Sequence, residues 1–109
     1  MKTFDIFVTY ISWGEAGKHR PVLVVEQSNS IVSVFKITTQ YSTKSDSIRA
    51  KYYPIKDWRQ AGLASQSYVD TNEILDIPLS AFGGTFAIGE LSENDIEGLV
   101  AFLAKGYED

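Results

Sequence analysis

The stretch PVLVVEQSNSIVSVFKITT, residues 21–39, holds two β-branched apolar runs joined by a short polar turn. Pro21 opens the first run, a position a strand tolerates because no ladder donor is needed there. Asn29 and its serine neighbours reverse the chain. In the second run, Ile31–Thr39, apolar residues fall on both sides of the alternation, which predicts a central strand covered on both faces. Two such runs in tight succession predict an antiparallel pair at the heart of a sheet.

Outward from that pair, more strands are expected. Phe4, Ile6, Val8 and Tyr10 alternate over Phe4–Ile11, as one face of a strand does. Ser12–Gly17, with two glycines, is a turn, and Gly17-Lys18-His19-Arg20-Pro21 reads as a basic loop into the next strand. Tyr41–Ser47 has no period and reads as a loop. Ile48–Ile55 sets Ile48, Ala50 and Tyr52 against Arg49, Lys51 and Tyr53, predicting a strand with a basic outer face. Asp57–Leu63 predicts a short helical turn, capped by Asp57 and closed by Gly62. Tyr68–Ile77 predicts a strand ended by Pro78, and Thr85–Gly89 a short one. Ser92 with Asp95 approximates a capping box. Ile96, Leu99, Val100 and Leu103 then share a helix face, with Gly106 as the stop. Six short strands and a terminal helix predict a β-rich α+β fold, a compact antiparallel barrel whose open side the C-terminal helix covers.

A chain of 109 residues suits a single domain, residues 1–109, and 44% apolar content supports a core. Without cysteine, disulfides and thiolate chemistry are excluded. Asp5 interrupts any leader-like apolar block, and no window nears the ~18 apolar residues of a membrane span. A soluble, cytoplasmic protein is expected. The net charge of −4 hides an asymmetry: residues 1–66 carry nine Lys/Arg against five Asp/Glu, and residues 67–109 one Lys against nine Asp/Glu. A basic face for phosphate and an acidic one are therefore expected.

Three segments can carry chemistry. Pro21 holds Arg20 extended, and an extended backbone sends His19 to the opposite side. The guanidinium of Arg20 offers fixed donors suited to a phosphate. His19 is the only histidine, so no two-histidine metal site is possible; neither metal nor cofactor is expected. At the end of the buried run, Thr38, Thr39 and Gln40 offer hydroxyl and amide groups to a phosphate or base edge. In Asp70-Thr71-Asn72-Glu73, Asp70 or Glu73 could act as the base for an attacking 2′-hydroxyl. Trp13, Tyr41, Tyr53 and Trp58 lie in or near loops, where exposed aromatics stack on unpaired bases.

Taken in order, Gly17–Val25, Ile37-Thr38-Thr39-Gln40, Ala61-Gly62-Leu63, Ser67-Tyr68-Val69 and Ile88–Ser92 resemble the sequence blocks of the PemK/MazF toxins, over about Phe4 to Leu103. The resemblance implies an SH3-like barrel, a homodimer, metal-independent cleavage of single-stranded RNA at short motifs, and a cognate antitoxin that blocks the site. It places Arg20 and Thr38 at the family's catalytic arginine and threonine. Lys18, His19, Thr39, Gln40, Arg49 and Lys51 are expected to contact RNA around them, and the base stays open between Asp70 and Glu73. The sequence departs from the family after Ser67, where the usual arginine is missing. The competing expectation is a non-catalytic, protein-binding toxin of the gyrase-poison type, or an inactive interaction module.

Overall fold

The computed structural model describes the backbone of residues 1–108 and the side chains of residues 1–106. The two runs quoted first pair as expected: β2 (Ala16–Gln27) and β3 (Ile31–Thr38) are antiparallel neighbours. Around them lie β1 (Asp5–Trp13), β4 (Tyr52–Pro54), β5 (Tyr68–Pro78) and β6 (Gly89–Glu90), in the order β4-β5-β3-β2-β1-β6 with every pairing antiparallel. The ladder shifts register between Val24 and Glu26 and between Val34 and Lys36. Such irregularities bend and overtwist a strand, and the sheet curls into a half-barrel with a C-terminal helix.

Alternation divides the apolar residues between two layers. Ile6, Leu23, Phe35, Ile37 and Val69 face Tyr53, Ile55, Ala61, Leu91 and, from the helix α2 (Glu93–Glu108), Leu99. Their sequence neighbours Phe7, Val22, Val24, Val32 and Val34 pack on the other side with Ile77 and Phe82. Phe82 closes that layer edge-on to Phe7, with centroids 5.5 Å apart. The expectation of a central strand covered on both faces is thus met.

Elsewhere local chemistry overrides the alternation. Residues 48–55 are not one strand: Asp46–Arg49 forms the helical turn α1, and only Tyr52–Pro54 pairs as β4. The Ser45 side chain accepts from the Ile48 N–H and Arg49 pairs with Asp46, interactions within the turn that favour helix over ladder. The basic segment Gly17–Pro21 is strand, not loop, because the hairpin turns earlier, at Gly14 with φ 57°. In the span expected as strand 85–89, only Gly89 pairs within the ladder. The Asp57–Leu63 turn closes with Ala61 N–H donating to Asp57 O (3.1 Å) and Gly62 at φ 86°.

Helix α2 runs through Gly106 to Glu108; a helical glycine costs only ~1 kcal/mol. Val100 is 53% exposed, not in the core, because the inward face is set by the fully buried Asp95 with Leu99 four residues on. Only half the capping box forms. Ser92 Oγ accepts from the Asp95 N–H at 3.1 Å, while the Asp95 carboxylate turns inward to accept from Tyr53 Oη (2.8 Å) and the N–H groups of Lys56 (2.9 Å) and Asp57 (2.8 Å). Among the described residues, no helix is long and apolar enough to cross a membrane.

Candidate functional site

The second sheet face changes character along its length. Val22 lies opposite Lys36, Lys36 opposite Asp70, and Asp70 opposite Tyr52. Directly opposed residues share a face, so a charged row crosses four strands at the edge of the apolar layer. Two residues further along β2 and β3, on the same face, stand Arg20 and Thr38. Together with Lys36, Gln40, Lys44, Tyr52, Asp70 and Glu73 they line a cleft of about 380 Å³.

Each side chain has a visible support. Arg20 lies opposite the buried Thr9, and its guanidinium carbon is 5.5 Å from the centre of the Trp13 ring at the hairpin end. Its Nε is buried and has no hydrogen-bond partner among the described residues. Thr38 is buried, and its Oγ1 accepts from the Gln40 N–H at 3.0 Å, which leaves the hydroxyl proton to donate. Asp70 Oδ1 accepts from the N–H (2.9 Å) and the Nδ2 (2.8 Å) of Asn72. Lys36 Nζ lies 4.0 Å from Asp70 Oδ2 and 3.7 Å from Glu73 Oε1. Burial first, then the Asp70 carboxylate, push the Tyr52 hydroxyl above its ordinary value, while the Arg20 guanidinium opposes them. Tyr52 is therefore a neutral donor at the cleft wall at neutral pH.

The fold brings Arg20, Thr38, Gln40, Asp70 and Glu73 to this one cleft. Lys18, His19 and Thr39 border a smaller depression of about 170 Å³ that shares Arg20, Thr38 and Gln40 with it. The His19 ring packs edge-on against Tyr10 at 5.4 Å. Arg49 and Lys51 are not in the cleft: Arg49 lies over the Tyr41 ring at 5.5 Å, and Lys51 lines a groove between β5 and α2. Among the aromatics, Trp13 and Tyr41 are exposed, Trp58 is half-buried, and Tyr53 is in the core, against the expectation of an exposed ring near a loop. Sequence reasoning missed Lys36, Lys44 and Tyr52. Lys36 left one signal, as the single charge in the run VFKIT. Among the described residues no group of His, Cys, Asp or Glu is arranged to hold a metal ion.

No protein-family model matches the sequence, and no curated protein does. Among solved structures, the Mycobacterium tuberculosis toxin MazF-mt6 aligns with a TM-score of 0.71 over 95% of this chain and 96% of that one, at 22% identity. At that identity the likeness is one of fold. The chain has the MazF-type toxin fold.

Proposed function

We propose that this chain, as one domain, is a metal-independent endoribonuclease toxin that cuts single-stranded RNA at short motifs. It acts as a cytoplasmic homodimer and is neutralised by a cognate antitoxin. The observation that carries this reading is the unpartnered, buried Arg20 Nε in a cleft that also holds Thr38, Lys36 and two carboxylates. A buried donor without a partner costs about 1–3 kcal/mol, a cost that a phosphate oxygen would relieve where binding opens Nε to the cleft.

In the reaction a carboxylate takes the proton of a 2′-hydroxyl, and that oxygen attacks the adjacent phosphorus. The bond to the 5′-oxygen breaks, leaving a 2′,3′-cyclic phosphate, and the departing oxygen takes a proton. Extra negative charge gathers on the non-bridging oxygens as this happens. Arg20 and the Thr38 hydroxyl donate to them, which stabilises the transition state more than the ground state. Glu73 is the better-placed base, because Asp70 Oδ1 is already engaged twice by Asn72 while the Glu73 side chain is 60% exposed. Asp70 then orients Lys36, whose ammonium faces both carboxylates and can supply the proton to the leaving oxygen.

The test is incubation of the purified protein with a long RNA in excess EDTA. Cleavage should persist, and folded Arg20→Ala should lose at least ~100-fold in rate, the usual cost of removing a preorganised donor. An inert wild-type protein overturns the reading and leaves protein binding as the alternative; one that cuts only with magnesium overturns the metal-independent mechanism.

A further inference from the structure

Beside the cleft, tyrosines from three separate segments form one cluster. Tyr41, in the segment after β3, stacks on Tyr68 of β5, with ring centroids 4.6 Å apart and planes 16° from parallel. Tyr52 of β4 flanks both rings at 6.3 Å. Strand register ties this cluster to the cleft, since Tyr68 lies opposite Thr38 and Tyr52 opposite Asp70. Opposed residues hold their Cβ atoms about 5 Å apart on one face. Tyr52 is buried, Tyr68 half-buried and Tyr41 38% exposed, so the stack climbs from the interior to solvent next to Thr38.

A tyrosine that only closed a gap in the core would be covered. Tyr41 instead stands in a wholly exposed polar segment, residues 39–45, and is held flat by the ring beneath it. A backed, part-exposed aromatic plane is what an unpaired base stacks on, and every base has a face to offer. The Arg49 guanidinium lies over the Tyr41 ring, so an entering base takes its place there and frees its charge for a phosphate, while Lys44 on the cleft wall adds a second cation. We propose that Tyr41, backed by Tyr68 and Tyr52, is the stacking platform for one nucleobase of a single-stranded RNA whose phosphate lies against Arg20 and Thr38. This rests on the ribonuclease reading above and adds a base-contact subsite to it.

The test uses two fluorescent strands of equal length: a mixed-sequence 2′-O-methyl oligoribonucleotide, whose blocked 2′-oxygens prevent cleavage, and an abasic 2′-O-methyl strand with the same phosphates. By anisotropy the wild-type protein should bind the base-bearing strand at least about tenfold more tightly. Tyr41→Ala should lose that preference with abasic binding unchanged, and Tyr41→Trp should keep it. If Tyr41→Ala binds the base-bearing strand like wild type, or weakens both strands equally, the platform is wrong. A wild-type protein that cuts RNA yet is indifferent to Tyr41→Ala overturns the platform alone. A wild-type protein that neither binds nor cuts overturns the platform together with the ribonuclease reading.

Discussion

Arg20 illustrates how one residue is held for work. Pro21 after it, Thr9 opposite it and Trp13 over its guanidinium leave the planar fork few orientations. Lysine would keep the charge and lose the fork, so Arg20→Lys is expected to be nearly as slow as Arg20→Ala. Thr38 contributes one hydroxyl, and Thr38→Ala should fall less. Of the carboxylates, Glu73→Gln should abolish turnover while leaving RNA affinity near wild type. Asp70→Asn, which keeps the shape but loosens Lys36, should slow it less. Single-turnover rates on one RNA, with binding measured separately, check all four. Equal losses at Asp70 and Glu73 would return the base assignment to an open question.

At the scale of elements, the most consequential contact is the one Asp95 makes. It anchors the start of α2 to the end of β4 and to the turn after it, through Tyr53, Lys56 and Asp57. Asp95→Ala would leave the buried Tyr53 hydroxyl and two part-buried N–H groups without their acceptor, a loss of about 1–3 kcal/mol. At roughly 4–8 °C per kcal/mol for a chain of about this size, the drop is readable by calorimetry. Gly98 sits one turn further on, where any Cβ would strike the Tyr53 hydroxyl, so Gly98→Ala should cost about 1–3 kcal/mol. Burial, and next the hydrogen bond to Asp95, raise the Tyr53 hydroxyl well above its ordinary value. The unfolded chain loses that proton near pH 10 while the folded one keeps it. The contribution is therefore whole below about pH 10 and declines as the pH rises beyond it. Tyr53→Phe should lower stability at neutral pH and flatten the alkaline decline; urea midpoints across that range measure both. An alkaline slope unchanged in the variant would rule Tyr53 out as its source.

For the whole molecule, the charge asymmetry along the chain is not a clean division in space. The cleft draws Arg20, Lys36 and Lys44 from the basic part and Asp70 and Glu73 from the acidic part. RNA affinity should follow these local cations and not the net charge of −4. At about −0.7 per phosphate contact on a single strand, three contacts give a log–log salt slope near −2. Lys44→Ala should make it shallower by about 0.7. Binding that ignores salt would sink this picture. In light scattering the proposed dimer should show twice the 12.1 kDa chain mass, and a species of one chain at micromolar concentration speaks against it.

What the sequence by itself determined is what short range controls. The β2–β3 pair, the strand ending at Pro78 and the Ser92 helix start each depend on neighbours a few residues away, where alternation and capping operate. Arg20 and Thr38 drew notice through their neighbours, Pro21 after the one and the buried run before the other, yet Arg20 was expected in a loop and lies on β2. Where two local preferences competed, the sequence misled: the Ser45 cap beat the alternation of residues 48–55, and the inward face of α2 is chosen by an acid rather than by Val100. The rest came only from tertiary structure. Lys36 became part of the cleft because the ladder irregularity between Val34 and Lys36 reset the strand, placing Asp70 opposite and Glu73 within reach. Asp95 reads in sequence as a solvated first-turn carboxylate, and it is buried because its donors lie about forty residues earlier in the chain. No local pattern encodes a partner that far away; only the closing of the sheet against the helix brings them together.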